Sequence, residues 1–125
     1  MQFLTRGFAV LIVIALVAMP VLAASDGVKQ INAKNVCFMN LKRFDRTLKS
    51  VEVNGKRYYG CCSDCLAQLK DNAERRMAVD PVSGAKIDKA DAVIGMDKNG
   101  NIYFFENTNN LHKFRVPATA VPTGE

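Results

Sequence analysis

The stretch "NGKRYYGCCSDCLAQL" (54–69) decides how this chain should fold, because the same pattern returns later. It aligns without a gap with "NGNIYFFENTNNLHKF" (99–114). Each copy follows an apolar stretch and opens on Asn-Gly, a strong hairpin signal because both turn positions favour positive φ. An aromatic strand follows, and then a short helix that opens at Ser63 or Thr108, whose hydroxyl can cap free N–H groups. Both copies are therefore predicted to form ββα units.

One ββα unit cannot bury a core alone, so the two copies are predicted to pack together as an α+β protein. The first helix is expected from about Asp64 to Met77, with Leu66, Leu69 and Ala73 also at core spacing. The paired aromatics of the second strands, Tyr58, Tyr59, Tyr103, Phe104 and Phe105, are expected to fill the space between hairpins and helices. The predicted organisation is a signal peptide (1–24), a lead-in (25–34), a cysteine-bearing unit (35–79), a cysteine-free unit (80–115) and a disordered tail (116–125).

Residues 1–24 have the pattern of a secretory signal peptide. Arg6 supplies the positive start, residues 8–19 carry no charge, and the small residues Ala23 and Ala24 suit cleavage. The apolar run is short for a membrane span of roughly 20 residues, which favours cleavage over anchoring. The mature protein is therefore expected in the periplasm or outside the cell, with no stable insertion into a membrane.

The chain is mildly basic, with a formal net charge of +5 that falls by one when Arg6 leaves with the signal. The excess lies mostly in "LKRFDRTLK" (41–49) and "GKRYY" (55–59). A basic patch can bind nucleic acid, but export removes the protein from nucleic acid, and a solvated hairpin face explains the charges. No nucleic-acid partner is predicted.

The cysteines point to a metal site in the first copy. Cys61, Cys62 and Cys65 lie where a strand ends and a helix begins, and Cys37 comes from the segment before the hairpin. Spacings of three and four residues in a first helical turn bring sulfurs together, and a helix N-terminus stabilises thiolates. One cysteine followed by Cys-Cys-x-x-Cys is a metal-knuckle arrangement.

The second copy carries no sulfur at the matching positions. Glu106, Asn107 and Asn110 stand there, so the second unit is predicted to be scaffold only. A need for cross-links alone would not concentrate three thiols at one turn of one copy.

Met39 extends the candidate ligand set to Cys37, Cys61, Cys62, Cys65 and Met39. If residues 37–39 are extended, Cys37 and Met39 point to the same side. Thiolate with thioether is a soft set that favours Cu(I), whereas a structural Zn²⁺ site would use all four cysteines. Met39 as core filler is the competing interpretation.

Two other interpretations of the cysteines stay open at this point. Exported proteins often oxidise their thiols, so four cysteines can form two disulfides and stabilise a metal-free interaction module. Cys62-Ser-Asp-Cys65 also has the spacing of a redox pair, but the βαβ context of a thioredoxin-like enzyme is absent. His112 is the only histidine, and no catalytic constellation appears, so the protein is predicted not to be an enzyme.

The pattern Cys37…Cys61-x-x-x-Cys65, with "GKRYYGCC" (55–62) leading into a helix, resembles the TRASH/YHS group of treble-clef-like metal-binding domains over residues 36–77. That resemblance implies heavy-metal trafficking, resistance or sensing. "DPVSG" (80–84) is similar to a YHS module opening Asp-Pro-Val-Cys-Gly, with Ser83 in place of the cysteine. "VCFMN" (36–40) resembles the Cys-x-Met motif of NosL-type copper accessory proteins of nitrous oxide reductase. Residues and resemblances together predict Cu(I) trafficking, buffering or sensing, with Zn²⁺ as the alternative and a metal-receiving or metal-exporting periplasmic protein as partner.

Overall fold

The structure is a computed structural model that describes residues 26–117. The predicted signal peptide and most of the predicted tail lie outside these residues. In chain order the elements are β1 (Lys29–Ile31), β2 (Val36–Cys37), β3 (Lys42–Arg43), β4 (Lys49–Val53), β5 (Lys56–Gly60), α1 (Ser63–Asp71), β6 (Met77–Val79), β7 (Lys86–Asp88), β8 (Val93–Met96), β9 (Ile102–Phe105) and α2 (Thr108–Lys113). Short 3-10 helices cover Ala33–Asn35 and Ala73–Arg76.

The strands form small antiparallel sheets, which confirms the predicted α+β class. β1, β8 and β9 make a three-stranded sheet in that order, and β2–β3, β4–β5 and β6–β7 are two-stranded ribbons. β1 comes from the predicted lead-in, yet it pairs with β8, with Lys29 opposite Met96 and Ile31 opposite Ile94. The chain ahead of the first hairpin therefore belongs to the sheet of the second hairpin. The division into two repeat units stays a prediction.

The two Asn-Gly pairs behave differently. Asn54 and Gly55 have φ of 53° and 78° and close the tight β4–β5 hairpin, as predicted. The second pair does not form a two-residue turn, because β8 ends at Met96 and β9 begins at Ile102. The buried Asp97 carboxylate accepts hydrogen bonds from the N–H groups of Asn99 and Asn101 at 2.8 and 2.9 Å and so organises a longer loop.

The helix ends also differ from the sequence-based expectation. The caps are Cys62 and Asn107, one residue before the predicted hydroxyl residues, and each side chain accepts a hydrogen bond from the N–H three residues on. α1 ends at Asp71 instead of Met77. The side chain of Asn72 accepts from the N–H of Glu74 and starts a 3-10 turn, so Met77 begins a strand instead of ending the helix.

The core lies between the two hairpins and is centred on Phe38. The Phe38 ring meets Tyr58, Tyr59 and Phe104 edge to face, at centroid distances of 6.4, 5.9 and 5.8 Å. Such edge-to-face contacts add to the free energy gained from burying the rings. The core cluster consists of Val36, Phe38, Tyr58, Leu69, Ile94, Ile102 and Phe104. Because Phe38 lies between Cys37 and Met39, this packing fixes the turn that carries the first candidate ligand.

The chain ends of the described part lie close together. The N–H of Val116 donates to the carbonyl oxygen of Asp26 at 3.1 Å, so the start of the predicted tail is hydrogen-bonded. No helix within residues 26–117 has both the length and the apolar character needed to cross a membrane.

Candidate metal centre

Three cysteine sulfurs converge on one point. Cys37 comes from the end of β2, Cys61 follows β5, and Cys65 lies in the first turn of α1. Their Sγ atoms all lie within 4.8 Å of one another, with Cys37 and Cys65 buried and Cys61 half-buried. All four cysteines are free thiols. The group can hold one metal ion, as the spacing predicted for these three residues.

Cys37 is held by a closed turn between β2 and β3. The N–H of Leu41 donates to the Cys37 carbonyl oxygen at 2.9 Å, and the N–H of Asn40 donates to Cys37 Sγ at 3.4 Å. The N–H of Phe38 donates to the Tyr59 carbonyl oxygen at 2.9 Å, which joins the turn to β5. The backbone therefore presents the Cys37 sulfur to the end of β5.

The other two sulfurs are set by the β5–α1 junction. The N–H of Cys61 donates to Cys37 Sγ at 3.4 Å, and Cys61 Sγ lies 3.8 Å from Cys65 Sγ. Cys62 Sγ caps α1 by accepting from the N–H of Cys65 at 3.4 Å. Cys62 is the N-cap of α1, and the sulfurs of Cys61 and Cys65 on either side of it lie close together.

Cys62 and Met39 occupy different positions from those three. Cys62 is exposed and lies outside the mutually close set, although its Sγ is 3.0 Å from Cys65 Sγ. Met39 lies in the turn after β2, so the condition of an extended Cys37-x-Met39 segment is not met. Its half-buried side chain nevertheless packs against the cluster that contains Cys37 and Cys65.

Two polar residues near the sulfurs were not identified from the sequence. The Asn40 side-chain amide donates to Cys61 Sγ at 3.1 Å, and the Lys89 ammonium donates to the Phe38 carbonyl oxygen at 2.7 Å. Asn40 stands at the fourth position of a Cys-x-x-Asn turn, where the second ligand of a metal knuckle would stand. That spacing from Cys37 could have identified Asn40 from the sequence. Lys89 is distant in sequence, and no local pattern indicates it.

The pKa of the Cys37 thiol lies below its ordinary value. Burial raises this pKa, but N–H groups that donate to the sulfur, chiefly those of Asn40 and Cys61, favour the thiolate more strongly. The pKa of Cys62 is also lowered, chiefly by hydrogen bonds of its sulfur with the thiol and the N–H of Cys65. Both thiols therefore lose their protons more readily than an ordinary cysteine does.

The pKa values of Cys65 and Cys61 are raised. For Cys65 the main cause is burial, followed by hydrogen bonds with neighbouring sulfurs, first of all that of Cys62. For Cys61 the causes are burial and then a hydrogen bond with Cys37. Because metal ligation needs thiolates, a bound ion would displace the protons of these two thiols.

The second half builds a similar turn around a carboxylate. Asp80 is fully buried, and its oxygens accept hydrogen bonds from the N–H groups of Val82, Ser83 and Glu106 at 2.7, 3.2 and 2.7 Å. The Asn110 amide donates to the same carboxylate at 2.9 Å. Asp80 thus joins the turn before β7 to the first turn of α2.

The contacts of Asp80 match those of Cys37. Each side chain accepts from the N–H three residues on and from the residue after an aromatic strand. Each carbonyl accepts from the N–H four residues on, Leu41 or Gly84, and both donors have positive φ, 50° and 73°. Ser83, which was expected at the position of a lost ligand, corresponds to Asn40, and Asp80 corresponds to Cys37.

Gly60 allows the close approach that forms the site. A Cβ at this position would lie 3.0 Å from Leu66 Cδ2 and 3.1 Å from Cys65 Cβ. We expect Gly60→Ala to push α1 from β5 and to lower the free energy of unfolding by about 1–3 kcal/mol. Urea unfolding would measure this effect, with Gly27→Ala as the control because no atom lies within 4 Å of its Cβ position. Equal stabilities of both variants would contradict the close packing described.

Comparisons with protein-family models, curated proteins and solved structures found no match to this chain.

Proposed function

We propose that this protein carries one soft metal ion, with Cu(I) favoured, in a site formed by Cys37, Cys61 and Cys65. The observation that supports this most is the convergence of the three sulfur atoms within 4.8 Å of one another. Thiolate ligands select soft ions, whereas Mg²⁺ and Ca²⁺ take oxygen ligands. The group of potential ligands found within residues 26–117 consists of these three cysteines, with no carboxylate and no imidazole.

The surroundings of the sulfurs support binding of a small cation. Asn40 donates to the sulfurs through both its N–H and its amide, as donors around metal-bound cysteines do. The Lys89 ammonium, bonded to the carbonyl of Phe38, partly balances the negative charge that three thiolates would bring.

The number of converging ligands favours Cu(I) over Zn²⁺. Cu(I) is bound stably by two or three soft ligands, whereas structural Zn²⁺ sites are almost always tetrahedral with four ligands. The fourth position of the Cys37 turn holds Asn40, whose amide cannot replace a thiolate as a soft ligand. A zinc site would have to recruit Cys62, whose contact with Cys65 is the observation that keeps this alternative open.

Trafficking or buffering in the periplasm is part of the same proposal. It rests on the predicted signal in residues 1–24, on the absence of any catalytic constellation in the sequence, and on the half-buried position of Cys61 beside the exposed Cys62. A site that keeps one ligand near the surface suits transfer to a metal-receiving or metal-exporting partner. The second half, with Asp80 in the place of Cys37, serves as scaffold in this proposal.

The test is metal uptake by the reduced mature protein. Native mass spectrometry under anaerobic conditions is expected to show one Cu(I) per chain, with all four cysteines still free after release of the metal. Tight Zn²⁺ binding that requires all four cysteines would favour the structural zinc alternative. A protein that takes up neither ion would overturn the proposal.

Met39 provides a test of the preferred metal. Met39→Leu conserves volume and is expected to cost under about 1.5 kcal/mol of stability. If the thioether joins the three thiolates, the variant lowers Cu(I) affinity and hardly changes Zn²⁺ affinity, because a thioether is not a usual ligand for Zn²⁺. Competition titration against a Cu(I) chelator would measure this. Unchanged Cu(I) affinity would show that Met39 is not a ligand and only packs against the site.

A further inference from the structure

We propose that Cys65 is shared between the metal site and a reversible disulfide with Cys62, so that oxidation of this pair expels the metal ion. This inference rests on the proposed metal binding and adds a regulated modification site to it. Cys62 is the exposed thiol of the four, and Cys65 is the buried thiol at its side.

The geometry of the pair already suits a disulfide. Cys62 Sγ lies 3.0 Å from Cys65 Sγ, which is closer than the 3.8 Å between Cys61 Sγ and Cys65 Sγ. Cys62 is the cap of α1 and Cys65 lies three residues on in the first turn, so both sulfurs lie at the same end of the helix. A small rotation of the side chains brings the two sulfurs into bonding distance without unfolding the helix.

The competition arises because the metal and the disulfide need the same sulfur. Cys65 is one of the three converging sulfurs, and once its sulfur is bonded to Cys62 it no longer offers a thiolate. Two cysteines remain, Cys37 and Cys61, and N–H donors from Asn40 and Cys61 still solvate Cys37 Sγ. The oxidised protein therefore loses one of its three ligands.

The oxidant in this proposal is a small-molecule disulfide, RSSR. The exposed Cys62 attacks one sulfur of RSSR, loses its proton, and forms a mixed disulfide while one thiol RSH leaves. The Cys65 thiolate, freed from the metal ion, attacks the Cys62 sulfur and displaces the second RS⁻. RSSR gains two electrons, the cysteine pair loses two, and the metal ion leaves with its charge unchanged.

The experiment uses the mature protein loaded with Cd²⁺, a soft ion that does not change oxidation state, in oxygen-free buffer. Oxidised glutathione is then added, and Cd²⁺ release and intact mass are followed together. Cys62→Ser is the key variant, because serine is a good helix cap and the three converging cysteines remain. The wild type is expected to lose two hydrogens and its Cd²⁺ on one time course, whereas the variant releases Cd²⁺ at least about tenfold more slowly.

A peptide map provides a measurement that does not depend on the variant. Cleavage after Arg57 and Lys70 isolates residues 58–70, which contain Cys61, Cys62 and Cys65. Fragmentation of this peptide is expected to show the Cys62–Cys65 link, with Cys61 free to be alkylated. Equal release rates from wild type and variant, or a link that involves Cys37, would overturn the shared-cysteine proposal alone. No Cd²⁺ uptake before oxidant is added would overturn the proposed metal binding as well.

Discussion

Cys65→Ser is expected to lower affinity for a soft metal ion by more than about 100-fold, because loss of a ligand exceeds the 10–100-fold cost of losing a residue behind a ligand. Cys65 is buried, and its sulfur lies 3.8 Å from Cys61 Sγ and within 4.8 Å of Cys37 Sγ. A serine oxygen is a hard, protonated ligand that does not replace a thiolate for Cu(I). Only the sulfurs of Cys37 and Cys61 would remain as ligands of the converging set.

Cys62→Ser is the matched control for this prediction. It makes the same chemical change in the same helical turn, but at an exposed residue outside the converging set. Competition titration with a Cu(I) chelator should give nearly wild-type affinity for Cys62→Ser and a large loss for Cys65→Ser. A large loss of affinity for Cys62→Ser with little loss for Cys65→Ser would indicate that the metal binds at the exposed end of the helix and not at the three converging sulfurs.

Asp80→Asn is expected to lower the free energy of unfolding by about 3 kcal/mol, because it leaves buried donors short of acceptors. Four donors meet this carboxylate, namely the N–H groups of Val82, Ser83 and Glu106 and the amide of Asn110. Asparagine offers one oxygen and brings donors of its own. Urea unfolding would measure the loss, and Ser83→Ala, an exposed change that keeps the backbone N–H, should stay within about 0.5 kcal/mol.

The same carboxylate predicts an acid limb in the stability profile. Burial raises the pKa of Asp80, but the Asn110 amide and the N–H of Glu106 outweigh it and hold the pKa below its ordinary value. A group with a lowered folded pKa contributes stability above its unfolded pKa, about 3.9, and this stability is lost as pH falls toward the folded value. Asp80→Asn should therefore flatten the loss of stability below about pH 4. An unchanged acid limb would indicate that other carboxylates control it.

The sequence predicted well what depends on neighbouring residues. The Asn54-Gly55 hairpin formed as expected, because both residues adopt the positive φ that the turn requires. The convergence of Cys61 and Cys65 followed from helical spacing. The second Asn-Gly pair does not form the predicted two-residue turn, because the buried Asp97 carboxylate accepts hydrogen bonds from N–H groups of the loop. The Asn-Gly dipeptide alone does not indicate this buried carboxylate.

What the sequence did not predict depends on contacts between distant residues. The role of Asp80 could not be predicted from the sequence, because its partners Glu106 and Asn110 follow far along the chain. The helix α1 was predicted too long, since the apolar spacing continues past Asp71 while the Asn72 side chain ends the helix. The sequence also could not indicate which cysteines converge, because Cys62 differs from Cys61 only in the side of the chain to which its sulfur points.

The composition of the main core bears on how the proposed metal ion would be exchanged. None of the seven residues of the cluster around Phe38 is a candidate ligand, whereas Cys37 and Cys65 lie with Leu48 in a separate small cluster. Asp80 joins parts of the second half without sulfur. In a zinc finger the free energy of metal binding is the free energy of folding, so removing the ion destroys the domain. In the proposed metal carrier these two quantities would be separate, because the main core contains no ligand. The metal-free protein is then expected to stay folded, so that one molecule could bind and release the ion repeatedly.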